Sequence, residues 1–310
     1  MLYTAKQLGY IVDGKAKRNA LIRATMEAAQ NAIQPNEIRG DFKIDTILSG
    51  STGIGKTYNT ERAFELAGVK PVVIQGNQSM FSFSTQLMLE HYIFQKKKSK
   101  TKANKLIILV DDCDSFFKDK DSINILKGMT GKQGSRMLQY NKAIQEHMMT
   151  PEMLAILDEY RNPNGAQGFR VECDDVVFIL TTNFTLPSEN YANAYLKKNG
   201  PTSRANRLMD LAAIRRRFTC KDFVLDKYTN WGWIAEVSLN DGLLDRLGDG
   251  ELGNHKKYVI LEWMLNHWDI MTEHNLDTVY DLALHMEESP NRFKDIWEAD
   301  YIDTEMAIVK

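Results

Sequence analysis

A glycine-rich segment at residues 50–57 limits the folds open to this chain more than any other part of its sequence. It follows G-x-x-x-x-G-K-[ST], the pattern in which backbone N–H groups turn inward around phosphate oxygens. An apolar run at 44–48 precedes it and a helix-like stretch at 57–67 follows it, so the N-terminus of a helix would face the phosphates. The segment therefore predicts a phosphate site, and a glycine turn with an incidental lysine is the weaker alternative. Its residues are Gly50, Ser51, Thr52, Gly53, Ile54, Gly55, Lys56 and Thr57.

Three further apolar runs, at 72–74, 106–110 and 176–180, have the length and composition of buried β-strands. Helix-like stretches at 57–67 and 83–94 alternate with them. Strands that alternate with helices are typical of a parallel sheet with helices on its faces. The sequence therefore predicts an α/β fold built on a parallel sheet.

Two carboxylates, Asp111 and Asp112, follow the run at 106–110. Ligands of open α/β sheets bind beyond the carboxyl ends of the strands. We therefore expect Asp111 to hold a Mg²⁺ ion together with Thr57, and Asp112 to be the base that orients an attacking water. The alternative is that Asp112 and Asp114 only cap the next helix, since Asp is a strong N-cap residue.

The run at 176–180 ends in the polar residues Thr181, Thr182 and Asn183. We expect Asn183 to hydrogen-bond the γ-phosphate of ATP or the attacking water, and the alternative is an ordinary turn asparagine. Lys56 would reach the β- and γ-phosphates. The expected cofactors are therefore ATP and Mg²⁺.

Composition sets outer limits on the class of protein. The chain has 310 residues, which suggests about two domains. Its net charge of −2 excludes a chain that is basic throughout, though not a local basic patch. Three widely spaced cysteines indicate free thiols in a reducing compartment. We see no signal peptide or transmembrane segment, so a cytoplasmic location without membrane contact is expected.

The remaining segments differ in character. Residues 15–33 have the apolar spacing of an amphipathic helix. The segments at 118–175, with a helical piece near 141–160, and at 185–209 look long and irregular, and such loops are more often functional than idle. Beyond Phe218 the pattern becomes helical, which indicates a separate smaller domain.

Taken together, these residues resemble the AAA+ ATPase family. The order is a Walker A loop at 50–57, a Walker B strand at 106–112, a sensor-1 strand that ends at Asn183, and an arginine-rich stretch at 210–218 that resembles the family segment before the lid. The resemblance implies an α/β P-loop NTPase fold of the AAA+ type, with a parallel sheet flanked by helices and a smaller C-terminal helical lid domain.

The same resemblance implies three regions. An N-terminal helical extension covers residues 1–40. The ATPase domain covers 41–220, with a long insertion at about 118–175, and the helical lid domain covers 221–310. In this arrangement the nucleotide lies between the α/β domain and the lid.

The resemblance also implies roles for arginines. Arg217, or as second choice Arg216, would reach the nucleotide of an adjacent subunit, which predicts a homo-oligomeric ring with a hexamer as one candidate. Arg292 is the candidate for the sensor-2 arginine on the γ-phosphate. The alternative is that the arginines at 215–217 form a surface patch for acidic side chains. Most members of the family have Glu where this chain has Asp112, so slow turnover is expected.

Three segments are candidates for binding a macromolecular substrate. A lysine run at 96–105 and a basic loop at 131–136, Arg136 included, could bind nucleic-acid phosphates or face a central pore, although charge runs are more often solvated loops. Met80 and Phe81 could grip a polypeptide in the pore, or Phe81 could stack on a base. The alternative is that Phe81 and Phe83 belong to the core.

The leading functional hypothesis is an ATP-hydrolysing motor or loader that acts on nucleic acid in phage-type DNA metabolism, because residues 111–114 and 124–128 resemble uncharacterised AAA+ proteins of bacteriophages. Such a protein would work in the cytoplasm of a bacterial host. The alternatives are a protein-remodelling ATPase that threads a polypeptide past pore loops, and an ATP-dependent scaffold or switch with slow turnover.

Overall fold

The computed structural model describes residues 2–33, 44–97, 105–131, 136–248 and 250–303. The chain divides by packing into two compact units. We call the first the sheet unit, which comprises Ala24–Gly50 and Lys56–Asp222. The second, the helical unit, comprises Met1–Arg23, Ser51–Gly55 and Phe223–Lys310. The domain boundaries expected from the sequence stay a prediction.

The centre of the sheet unit is a five-stranded sheet in the order β2-β3-β6-β1-β7. The pairs β2–β3, β3–β6 and β6–β1 are parallel. A second sheet consists of the antiparallel pair β4–β5. The strands are β1 Thr46–Gly50, β2 Val72–Gln75, β3 Leu106–Asp111, β4 Met137–Tyr140, β5 Phe169–Glu172, β6 Val176–Thr182 and β7 Thr219–Phe223.

The helices cover most of the remaining described chain. They are α1 Ala5–Ile33, α2 Lys56–Leu66, α3 Met80–Lys97, α4 Lys120–Met129, α5 Pro151–Tyr160, α6 Glu189–Asn199, α7 Ser203–Arg217, α8 Lys227–Asn240, α9 Gly250–His267, α10 Leu276–Glu288 and α11 Phe293–Tyr301. No helix within the described ranges has both the length and the apolar character needed to cross a membrane.

The strand registers bring the polar strand ends together. Gln75 of β2 lies beside Asp111 of β3. Ser49 of β1 lies beside Thr182 of β6. Because the paired strands are parallel, their carboxyl ends meet at one edge of the sheet, where ligands of such folds bind. Below this edge β3 and β6 are buried on both faces, as their continuous apolar runs predict.

The predicted fold class is confirmed: a parallel sheet flanked by helices, with further helices in the C-terminal part of the chain. Two local expectations were wrong. The segment at 118–175 contains α4 and the β4–β5 sheet rather than a long irregular loop, and α5 lies within the helical piece expected near 141–160. The segment at 185–209 contains α6 and the start of α7. Helix α6 buries only Ala192, so it lacks the apolar spacing by which a helix is recognised in a sequence.

The helical unit has its own core. Five tryptophans are buried in it, as expected for core residues rather than a binding box: Trp231, Trp233, Trp263, Trp268 and Trp297. Two of their indole N–H groups donate to backbone carbonyls, from Trp231 to Leu261 at 2.7 Å and from Trp297 to Leu282 at 3.2 Å. This satisfies polar groups that would otherwise be buried without partners.

Candidate active site

The loop between β1 and α2 has the backbone that its glycines predict. Gly53 and Gly55 adopt φ angles of 75° and 76°, in the left-handed region where a side chain is disfavoured. Helix α2 begins at Lys56, directly after the loop. The loop thus ends on a helix N-terminus, which favours an anionic ligand.

The side chain of Lys56, the first residue of α2, is buried. Its Nζ donates to the Gly50 carbonyl oxygen at 2.9 Å and to Asn183 Oδ1 at 2.9 Å. Burial lowers the pKa of Lys56, and the carboxylates of Asp114, Asp112 and Asp111, in that order, oppose the shift. The site therefore holds a cation among acceptors that phosphate oxygens could replace.

Asp111 and Thr57 meet at the end of β3. The hydroxyl of Thr57 donates to Asp111 Oδ1, and the hydroxyl of Thr181 donates to the same oxygen at 2.6 Å. Carboxylate and hydroxyl oxygens are hard ligands, and Mg²⁺ commonly takes only one or two protein carboxylates while keeping phosphate and water ligands. This donor pair therefore fits Mg²⁺, although no group of three or more His, Cys, Asp or Glu side chains forms a metal site within the described ranges.

Asp112 has a backbone conformation unlike that of any other described residue except glycines. Its φ and ψ are 53° and 54°, and its N–H donates to Thr181 Oγ1 at 3.0 Å. It begins the short 3₁₀ helix at 113–117, but its side chain makes no capping hydrogen bond. Its Oδ1 instead accepts from Asn183 Nδ2 at 3.3 Å. The alternative that Asp112 merely caps the next helix is therefore wrong.

Asp114 is a site residue that sequence reasoning missed. Its Oδ1 accepts from the backbone N–H of Asn183 at 2.9 Å and from the hydroxyl of Thr182. It therefore fixes the end of β6 rather than a helix terminus. The signal was present in the sequence, because two threonines at the end of a buried strand need partners for their hydroxyl groups.

The three arginines at the end of α7 have different surroundings. Arg215 donates to the Leu186 carbonyl oxygen at 2.8 Å and to Asp222 at 2.5 Å. The more exposed Arg216 pairs with Glu189 at 3.1 Å. Arg217 donates to the Ala213 carbonyl of its own helix at 2.9 Å. Its pKa is lowered by partial burial and by Arg216.

Arg292 and Cys113 differ in their exposure. Arg292 is an exposed residue that precedes α11 in the helical unit, and its side chain makes no capping hydrogen bond. Cys113, next to the acidic pair, is fully buried, and burial raises the pKa of its thiol well above the ordinary value, which makes it a poor nucleophile.

Two side chains expected to bind a macromolecular substrate, Phe81 and Arg136, are buried. Phe81 and Phe83 are buried in the sheet-unit core, so the core interpretation holds and an exposed Phe81 in a pore is wrong. Arg136 is also buried, because it forms a two-pronged ion pair with Asp45 at 2.8 and 2.7 Å, and its assignment to a flexible basic loop is wrong.

The lysine run is only partly covered by the described chain. The Nζ of Lys96 lies over the ring of Tyr92, 4.9 Å from its centre. Lys105 is buried, so it is not an exposed phosphate contact. Lys98, Lys100 and Lys102, and residues 132–135 of the basic loop, lie outside the described residues.

Comparison with known proteins gives one family and one structural neighbour. The model of the ATPase family associated with various cellular activities (AAA) matches residues 46–197. A solved structure of the replication initiator DnaA bound to AMPPCP and single-stranded DNA is similar at a TM-score of 0.40 and 12% sequence identity. That similarity covers 88% of this chain and 63% of the DnaA chain. The search of curated proteins gave no match.

Proposed function

We propose, on the premise that residues 46–197 form an AAA-family ATPase domain, that this chain hydrolyses ATP with Mg²⁺ at the carboxyl edge of its sheet. One observation carries the proposal. Hydrogen bonds join Lys56, Asn183 and Asp112 there, and Thr57 to Asp111, and Thr181 bonds to both Asp111 and Asp112. They come from α2, β3 and the end of β6, and the chain links them into one polar cluster.

Each side chain has a role that follows from its chemistry. The Lys56 ammonium would donate hydrogen bonds to the β- and γ-phosphate oxygens instead of to Gly50 and Asn183. Thr57 and Asp111 would hold Mg²⁺, which when bound supplies positive charge at the phosphate oxygens. The loop from Gly50 through Ser51, Thr52, Gly53, Ile54 and Gly55 turns its N–H groups toward the phosphates.

Asp112 and Asn183 would orient the water. The Asp112 carboxylate accepts a proton from the attacking water, and the Asn183 amide holds that water in line. Asp114 fixes the backbone of Asn183 through its N–H, and the side-chain amide is oriented by its contacts with Lys56 and Asp112. Positioning of this kind, rather than covalent chemistry, is the main work of phosphoryl-transfer enzymes.

We further propose that the active form is a homo-oligomer. Arg217, with Arg216 as second choice, would enter the site of an adjacent copy and stabilise charge on the transferring phosphate. An arginine supplied in trans can be worth about 10³ to 10⁵ in rate. Arg292 is retained as the proposed sensor-2 residue. A hexameric ring, a phage source and a cytoplasmic location remain predictions from the sequence.

Nucleic acid is the partner that we favour over a threaded polypeptide. Burial of Phe81 removes the side chain expected either to grip a polypeptide or to stack on a base, so this preference rests on the sequence resemblance and not on Phe81. The scaffold alternative, with slow turnover, is favoured only by the shorter Asp112 in place of Glu. DNA-stimulated turnover would distinguish the motor from the scaffold.

The ATPase proposal is tested by the turnover rate per subunit at increasing protein concentration, with Mg²⁺ and ATP in excess. We expect turnover to rise with concentration, because the site is completed between copies. Lys56→Ala should abolish nucleotide binding or hydrolysis, whereas the control Lys118→Ala, at an exposed lysine, should leave both unchanged. Phosphate release that is equal in wild type and Lys56→Ala would overturn the proposed site.

A further inference from the structure

A helical hairpin follows Asn183 and carries a stretch of chain without acidic residues. It consists of α6, a short connection at 200–202 and the first half of α7. Residues 190–209 contain four basic and no acidic residues, in a chain whose net charge is −2. The basic residues are Lys197, Lys198, Arg204 and Arg207.

The acidic residues that border this stretch are already paired with other cations. Glu189, just before it, binds Arg216 at 3.1 Å. Asp210, just after it, binds Lys127. Lys197 and Lys198 are exposed and have no ion-pair partner in the described part of the chain. The positive charge of the hairpin is therefore left for an external anion.

Two aromatic side chains, an exposed one and a partly buried one, lie on the same helix as Lys197 and Lys198. Tyr191 of α6 is 53% exposed. The Arg204 guanidinium lies over the Tyr195 ring at 5.4 Å. Tyr191, Tyr195 and Lys198 are separated by four and three residues, so they share one face of α6 over about 10 Å.

We propose that this face of the α6–α7 hairpin binds single-stranded nucleic acid. Lys197 and Lys198 would contact phosphates, and the open face of Tyr191 would stack on an unpaired base. Polyanions of other kinds lack the flat rings that could stack on an exposed tyrosine. Unpaired strands are favoured over duplex because their bases are free to stack.

The inference deepens the proposed function and rests on its choice of nucleic acid as partner. The hairpin lies in the chain between Asn183 and the arginines at 215–217, to both of which the proposed function assigns a role in ATP hydrolysis. The Arg216–Glu189 ion pair joins the end of α7 to the start of α6. Binding at the hairpin is thus placed where it could change turnover.

The test is fluorescence anisotropy of the full chain with labelled oligothymidylate and with a duplex of equal length, at about 50 to 200 mM salt. We expect the K197Q/K198Q variant to bind oligothymidylate more weakly. Its slope of log affinity against log salt should be shallower by about 1.4, since each phosphate contact on a single strand contributes about 0.7. The control K17Q/K294Q removes the same charge from exposed lysines of the helical unit and should bind as wild type does.

A second variant tests stacking separately from charge. Tyr191→Ala should weaken oligothymidylate binding at least about fivefold with an unchanged salt slope, whereas Tyr191→Phe keeps the ring and should bind as wild type does. Tyr280→Ala, at a tyrosine that is 46% exposed in the helical unit, is the control.

The outcomes separate the two proposals. If wild type binds nucleic acid and both hairpin variants bind it equally well, the hairpin surface is overturned and the nucleic-acid partner stands. If wild type binds polyglutamate but neither nucleic acid, the hairpin proposal and the choice of partner both fail, while the ATPase proposal is untouched. Preference for duplex over oligothymidylate would overturn the stacking role of Tyr191.

Discussion

At the scale of single residues, Asn183 links the parts of the proposed site. Its Oδ1 accepts from Lys56, its Nδ2 donates to Asp112, and its backbone N–H donates to Asp114. A phosphate that accepts the hydrogen bond of the Lys56 ammonium would leave Asn183 Oδ1 without this donor. Asn183 Oδ1 could then accept a hydrogen bond from the attacking water.

The role of Asp112 can be tested without disturbing its backbone. Asn tolerates the left-handed conformation about as well as Asp does, so Asp112→Asn removes mainly the negative charge. We expect nucleotide binding to be retained and turnover to fall by about 10² to 10⁴, the usual contribution of a general base. Phosphate release and binding of a fluorescent ATP analogue measure the two effects.

The matched control for Asp112 is Asp121→Asn, because Asp121 is an exposed carboxylate of the same unit that pairs with Lys142. It should leave turnover unchanged. Full turnover in Asp112→Asn would mean that Asp112 has a structural role and that another group positions the water.

At the scale of elements, a buried ion pair ties the residue before β1 to the residue before β4, and the same arginine bonds to the start of β6. Arg136 binds both carboxylate oxygens of Asp45, and its guanidinium also donates to the carbonyls of Met129 and Val176. Asp45 in turn accepts from the N–H of Phe178 at 2.9 Å. These contacts hold the edge of the sheet opposite the proposed site.

We expect Arg136→Met to lower the free energy of unfolding by about 3 to 5 kcal/mol, because it leaves a buried carboxylate without its partner. The double variant Asp45→Asn/Arg136→Met should lose less than the sum of the two single variants. Urea denaturation measures both quantities.

A surface arginine provides the comparison. Arg161 pairs with Asp158 and Glu146 where both acids are well exposed, so Arg161→Met should change stability by about 1 kcal/mol or less. An Arg136→Met variant as stable as Arg161→Met would show that Arg136 is not the anchor described here.

Two glycines of α1 differ in how closely other parts of the helical unit approach them. A Cβ at Gly14 would collide with the backbone of Gly232 and Trp233 in α8, whereas a Cβ at Gly9 would meet nothing within 4 Å. Gly14→Ala should therefore destabilise the protein by about 1 to 3 kcal/mol, and Gly9→Ala should stabilise it by about 0.5 to 1 kcal/mol. Thermal or urea unfolding of the two variants tests this, and equal stability would contradict the close approach.

The same elements explain how far the sequence was informative. Strands β3 and β6 were predictable because they are continuous apolar runs with polar ends, and those ends located Asp111, Asp112 and Asn183. The sequence predicts α1 from residue 15, but the helix begins at Ala5. Gly9 and Gly14 have low helix propensity, so the local sequence gives no reason to extend the helix through them. The close approach of Gly14 to α8 is a tertiary contact that the local sequence does not reveal. Partners such as Asp45 for Arg136 are distant in sequence, and no local pattern reveals them.

At the scale of the whole molecule, the proposed mechanism takes a positive charge from a second copy of the chain. Arg217 bonds only a carbonyl of its own helix, and no carboxylate pairs with it in the described ranges. Its guanidinium remains charged under all ordinary conditions. Arg217 is therefore available to a second copy, and turnover should depend on assembly.

The central claim is that two copies of the chain build each ATPase site, and mixing two inactive variants tests it most directly. Lys56→Ala lacks the phosphate-binding lysine but keeps its arginines, and R216A/R217A keeps the lysine but lacks both candidate arginines. Each alone should be nearly inactive. At equal amounts, random assembly should restore about a quarter of wild-type turnover, because one site in four combines an intact lysine with an intact neighbour. A mixture no more active than its separate components would contradict a site shared between copies.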